Sequence, residues 1–169
     1  MGKSSLTKFE FPPEVFAEIS KSLLAAGKSV RFKAVGDSMY PFIHNGDIVV
    51  IEPTLTARLK IGDIIYYQDI NGHCLLHRVI RTRSLAGSLQ FQIQADNTLM
   101  PDGWVSSDRV LGRLARFYRD DILINMDSLP ARITNMLILA QLGLNLHKYG
   151  KYRSGRSYFR RLLLLYKYF

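Results

Sequence analysis

The chain has a single cysteine, a single tryptophan and, beyond Asp127, no acidic residue at all. With Cys74 alone no internal disulfide can form, so the fold is expected to stand without covalent cross-links and to suit a reducing compartment. Long hydrophobic runs are also missing. The greasiest segment, Ile133 to Leu146, holds 14 residues and is broken by Thr134, Asn135, Gln141 and Asn145. As a helix it would reach about 21 Å against a bilayer core of about 30 Å, so a membrane-spanning protein is not expected. Nor does an apolar stretch of roughly 7–15 residues follow the first lysines, which argues against an ordinary secretory signal. The acid-free stretch divides the charge unevenly. Through Asp127 there are 15 Lys and Arg against 14 Asp and Glu; from Ser128 onward there are eight against none, and the whole chain carries +9. A neutral body thus carries a basic tail.

What is present is an ordinary globular balance. The 169 residues are 47% hydrophobic and 22% charged, enough for one real core and unlike a disordered chain or a small disulfide scaffold. Pro12-Pro13 followed by EVFAEISKSLLAAG reads as a short helix: proline fits a first turn, apolar residues recur at helical spacing from Val15 to Leu24, and Gly27 stops it. Short strand-like runs follow at 30–35, 47–52, 63–68, 73–82, 89–95, 110–118 and 121–126, separated by pieces such as HNGD, INGH, LAGS and MPDG. Strands this short, broken by Gly, Asn and Asp, predict a mainly β, antiparallel or mixed body rather than a doubly wound one. Residues 130–146 read as a helix, KYGKYRSGRS as a basic joint and SYFRRLLLLYKYF as a last amphipathic helix. The expected division is an N-terminal helix over 1–29, a β body over 30–127 and a basic helical tail over 128–169.

The most informative stretch is VGDSMYPFIHNGDIVVIEP, residues 35–53. It puts a small serine, Ser38, on a turn at a strand end, with Gly36 leaving backbone room and Pro41 fixing the exit. A serine so placed can offer its Oγ and neighbouring N–H groups to a carbonyl, although most turn serines are structural. The run Gly36-Asp37-Ser38-Met39-x-Pro41, then Ile43-x-x-Gly46-Asp47-x-Val49-x-Ile51, resembles the nucleophile segment of the signal peptidase I and LexA-type serine peptidase superfamily. Lys60-Ile61-Gly62-Asp63-Ile64-Ile65 resembles that family's next block. Familiar members carry a lysine base on the following strand. Here that strand reads Cys74-Leu75-Leu76-His77-Arg78-Val79-Ile80, which is similar to the archaeal and endoplasmic-reticulum branch, where histidine replaces lysine. Ala95-Asp96-Asn97 with Asp102, and Val110-Leu111-Gly112-Arg113-Leu114, resemble its later segments. The match covers residues 30–118 in family order.

The resemblance implies a signal peptidase/LexA-like β body and a serine endopeptidase that cuts a leader or precursor peptide after small residues. The chemistry is coherent in its own terms. A serine hydroxyl needs a base, an imidazole can take the proton and return it to the leaving amine, and a carboxylate on the other ring nitrogen stabilises the imidazolium between. Ser38 is the candidate nucleophile and His77 the base. Asp102 is favoured by the family's spacing as the orienting carboxylate, with Asp96 as the alternative that otherwise braces the turn. Gly36, Asp37 and Met39 are the candidate oxyanion and substrate-binding positions. A core histidine is the alternative for His77, since it shares a strand face with Leu75 and Val79, but its place in the motif order favours the base. His73 reads as a hairpin residue, and His44, His147 and Arg78 receive no catalytic role. No metal or cofactor is expected, for the lone cysteine and four scattered histidines give no zinc spacing.

Gly36 departs from the signal peptidase pattern, which has a hydroxyl residue there, so oxyanion stabilisation would fall to backbone N–H groups. The missing anchor is a second departure; it points to a cytoplasmic protein, peripheral on the inner membrane surface if it meets a membrane. A non-catalytic peptide-binding module on the same fold is one alternative. A LexA-type self-cleaving regulator is another, although Ala26-Gly27 precedes Ser38 by only 11 residues. Besides a peptide substrate, residues 148–169 suggest an anionic membrane surface as partner, because aromatics alternate with Lys and Arg there. Packing of that tail on the body is the plain alternative, and single-stranded nucleic acid is the least favoured.

Overall fold

The computed structural model describes residues 12–151, the side chains of 144–151 excepted; the last helix expected over 157–169 lies outside the described residues. The chain opens with α1 (Pro13–Ala25), whose proline occupies the first turn, where an N–H would have no helical partner. Gly27, at φ +77°, ends it: its N–H donates to Leu24 O at 3.0 Å and that of Lys28 to Leu23 O at 2.9 Å. These two bonds satisfy carbonyls the helix would otherwise leave open.

Eight strands follow: β1 (Val30–Lys33), β2 (Ile48–Glu52), β3 (Ile64–Gln68), β4 (Cys74–Leu85), β5 (Ser88–Gln94), β6 (Gly103–Ser106), β7 (Val110–Arg119) and β8 (Ile122–Asn125). The protein is mainly β, as the spacing of its turn residues predicts. All pairings are antiparallel, in the order β1-β2-β7-β3-β4-β5-β6, with β8 also on β7. Strand β6 was not expected, because GWVS follows the turn-forming MPDG and is too short to alternate visibly; it exists because its edge pairs with β5, Phe91 opposite Val105. Strand β4 likewise runs on to Leu85, carried by its pairing with β5. α2 (Leu129–Lys151) begins one residue before the expected helix and continues through Lys148–Lys151, which the sequence reading placed in a joint.

Two strands organise the interior. β3 is buried on both faces: Ile64 and Tyr66 enter a core with Phe42, Val49, Ile51, Leu114 and Phe117, while Ile65 and Tyr67 enter another with Val79, Phe91, Ile93 and Val105. That explains why IIYY reads as a continuous apolar run and not an alternation. β7 pairs along both edges, with β2 on one and with β3 and β8 on the other. At its crowded point sits Gly112, opposite Tyr66. A Cβ there would lie 2.7 Å from both Glu52 O and Ile51 Cγ2 and 3.3 Å from Leu24 Cδ2.

Overpacking against backbone cannot relax as a flexible side chain would. Gly112→Ala is therefore expected to lower unfolding free energy by about 1–3 kcal/mol in urea titrations. Gly143→Ala, in α2 with nothing within 4 Å of the new methyl, should instead raise helix stability by up to about 1 kcal/mol.

Candidate active site

The Ser38 loop leaves β1 and returns as β2. Gly36, Asp37 and Ser38 are exposed, whereas Met39, Phe42 and Ile43 are buried, so the loop is anchored by its second half and presents its first. Gly36 stands at φ +93° and its N–H donates to Asn45 Oδ1 at 3.1 Å. The loop closes on a turn that occurs twice in the chain. In His44–Asp47, Asp47 N–H donates to His44 O (3.1 Å) while its Oδ2 accepts His44 N–H (2.8 Å); in Lys60–Asp63 the same two bonds measure 3.1 and 2.8 Å. Gly46 and Gly62 supply the left-handed residue in each, at φ +100° and +99°. The two Gly-Asp blocks thus encode one turn, used to enter β2 and then β3. Arg119 locks the first copy through Asp47 (2.7 and 3.2 Å) and Phe42 O (2.8 Å).

His77 lies on β4 opposite Ile65, buried at 8% exposure. Its Nδ1 is 3.0 Å from Asp102 Oδ2 and 3.2 Å from the Tyr67 hydroxyl. Asp102 is itself held, its Oδ2 accepting Ala95 N–H (2.8 Å) and its own N–H donating to Ile93 O (2.9 Å). Of the two carboxylates considered for His77, Asp102 is therefore the one beside the imidazole. Asp96 faces Arg78 instead: guanidinium Nε and Nη2 donate to its two oxygens at 2.7 and 2.6 Å, and both side chains are fully buried. Arg78 Nη1 also donates to Gly62 O at 3.1 Å, and its Cζ lies 5.0 Å above the Phe42 ring.

The Ala95–Thr98 turn joins these parts. Asn97 donates from Nδ2 to Asp37 O (2.6 Å) and from its N–H to Ser38 O (3.1 Å), so the serine segment hangs on the same turn whose Ala95 N–H holds Asp102. Ser38, His77 and Asp102 thus belong to one connected framework, whose turn also carries Asp96. His73 is a hairpin residue, bonded to Asp69, and His44 donates from Nε2 to Pro41 O at 3.1 Å inside the loop. Tyr67 and Asn97 were missed by sequence reasoning. Asn97 is the third residue of the Ala95-Asp96-Asn97 motif, where it is given no role; Tyr67 carried no signal, because its nearness to His77 comes only from the β3–β4 register. Burial, followed by the charges of Asp102 and Asp69, pushes the Tyr67 hydroxyl well above the usual phenol range, so it stays protonated. Among the described residues no group of three or more His, Cys, Asp or Glu could hold a metal ion, and no helix is long and apolar enough to cross a membrane.

The Peptidase S24-like family model matches residues 3–115. The chain belongs to the Peptidase S24-like family. This places it in the superfamily of LexA and signal peptidase and supports a peptidase-type hydrolase or a LexA-like self-cleaving function. A search of curated proteins found no match. The matched region ends within β7, so it takes in Ser38, His77, Asp96 and Asp102 but not β8 or α2.

The buried Arg78–Asp96 pair predicts its own energetics. Removing one partner strands a charge, so Asp96→Ala should cost about 3–5 kcal/mol of stability, read from denaturant midpoints. Asp102→Asn, whose carboxylate is part-exposed, should lose far less, and the contrast separates a bracing from an orienting carboxylate.

Proposed function

We propose that the protein is a serine endopeptidase of the signal peptidase type, cutting a leader or precursor peptide after small side chains. Ser38 Oγ attacks the scissile carbonyl carbon as its proton passes to His77 Nε2. The C–N bond then breaks, and the imidazolium returns the proton to the departing amine. Water repeats the cycle on the acyl-serine and frees Ser38. Asp102 orients His77 and stabilises its charged form. Backbone N–H groups around Asp37 and Ser38 hold the oxyanion, as Gly36 offers no hydroxyl for that task and its own N–H is given to Asn45. The observation that carries the reading is the Asp102–His77 contact of 3.0 Å in a framework whose adjoining turn bonds the carbonyls of Asp37 and Ser38.

Self-cleavage at Ala26-Gly27 is the competing reading, and one feature weighs against it. That bond forms the cap of α1, with the N–H groups of Ala26, Gly27 and Lys28 all bonded to helix carbonyls, so an extended scissile strand would require unwinding the helix end. Incubation at alkaline pH should leave this bond intact. Ser38→Ala is expected to abolish precursor processing and labelling by a fluorophosphonate probe, with the fold unchanged by circular dichroism. Processing that survives in this variant excludes the catalytic assignment, and a wild-type serine that resists the probe favours a peptide-binding module.

We further propose that the molecule works peripherally on an anionic membrane surface. α2 leaves Leu129, Ile133, Met136 and Leu137 exposed on a face turned away from buried Ala131 and Leu142, and no acid occurs after Asp127. An apolar helix face followed in sequence by a cationic segment suits the boundary between acyl chains and anionic headgroups. Flotation with vesicles containing phosphatidylglycerol should retain the full chain and lose it when residues 148–169 are removed. Equal failure of both forms rejects the membrane reading.

A further inference from the structure

We propose that Tyr67 is a positioning residue for His77, its phenol oxygen accepting the Nδ1–H so that Nε2 is left unprotonated to serve as the base. The inference rests on the reading of His77 as the general base.

Three observations carry it. Asp102 Oδ2 is nearest to Nδ1, at 3.0 Å, and the Tyr67 hydroxyl is hydrogen-bonded to the same nitrogen at 3.2 Å. The two rings are packed together, centroids 6.0 Å apart at 54°, on a β3–β4 register that puts Ile65 opposite His77 and Tyr67 opposite Leu75. Third, Tyr67 sits in the core with Ile65, Val79 and Phe91, so its hydroxyl cannot swing out to water. The titratable and charged groups facing this pair are Asp102, from the segment between β5 and β6, and Asp69, at the end of β3, whose charge acts on Tyr67.

The chemistry then follows from the inventory of one ring nitrogen. A neutral imidazole carries a single N–H. If it lies on Nδ1, Nε2 has a lone pair and can take a serine proton; if it lies on Nε2, the base is blocked. An acceptor aligned with Nδ1 selects the first form. Asp102 supplies charge at close range to the same nitrogen, so a neutral acceptor and a charge come from two different residues. When the imidazolium forms, Tyr67 continues to accept the same hydrogen and Asp102 neutralises the charge. Removing the hydroxyl thus removes the hydrogen-bonded acceptor and leaves the carboxylate.

Tyr67→Phe keeps the ring and the packing and tests this directly. Expected are a roughly tenfold fall in kcat with KM unchanged and an acidic limb of the kcat/KM profile displaced to lower pH, because the charged ring has lost a partner. Nitrogen-15 shifts of the His77 ring should show the Nδ1–H form depleted, a readout that needs no activity. Ring shifts and pH limb identical to those of the parent protein overturn the proposal. So does a limb displaced to higher pH, which means that the hydroxyl donates to Nδ1 and holds the unreactive form. If Ser38→Ala or His77→Ala leaves processing intact, the catalytic reading fails instead, while the ring shifts still decide what Tyr67 does.

Discussion

The buried Arg78–Asp96 pair is the contact on which the arrangement of the site depends. One guanidinium binds a carboxylate in two-pronged fashion, donates to the carbonyl of the Gly62 turn and lies over Phe42 of the serine loop. It therefore ties together the strand that bears His77, the turn that follows β5 and the loop that bears Ser38. Both charges are taken out of water at large cost, and only this degree of hydrogen bonding offsets it. A hydrophobic pair of similar volume could fill the space, but it would not fix the turn against the strand with the same directionality.

Alternation along β4 gives the two adjacent residues their separate tasks. His77 faces Ile65 and Tyr67 in one core; its neighbour Arg78, opposite Ile64, turns to the other side, where Phe42 lies. Polar network on one face and imidazole on the other are thus positioned by a single strand. α2 reaches the same region from outside. It packs on the Gly62 turn, where a Cβ would come within 2.6 Å of Asn135 Nδ2 and 3.1 Å of Leu139 Cδ1. Gly62 is consequently constrained three ways: by its left-handed φ, by the helix above it and by the arginine that uses its carbonyl.

Much of the fold was legible because local rules agreed. Pro13 and Gly27 bound α1, β-branched and aromatic runs gave seven of the strands, and the two Gly-Asp turns gave the points where β2 and β3 begin. Strand β6 escaped because four residues beside a turn carry no period; edge pairing with β5 creates it. The site was legible in part. Ser38, His77 and two candidate carboxylates could be named in order along the chain, with Asp102 favoured by spacing and Asp96 kept as the alternative. Which carboxylate meets the imidazole depends on the path of the segment after β5, where Asp102 N–H returns to Ile93 O and pulls its side chain toward His77.

By itself the sequence determined the β-rich body, its flanking helices and the sharp division of charge at Asp127, because these follow from composition, period and turn chemistry within a few neighbouring residues. Tertiary structure alone decided that Asp96 answers to Arg78, that Asp102 stands at His77, and that Tyr67 shares the same ring nitrogen. Those contacts join residues 10 to 25 positions apart through strand register and loop return, and no local pattern encodes a register.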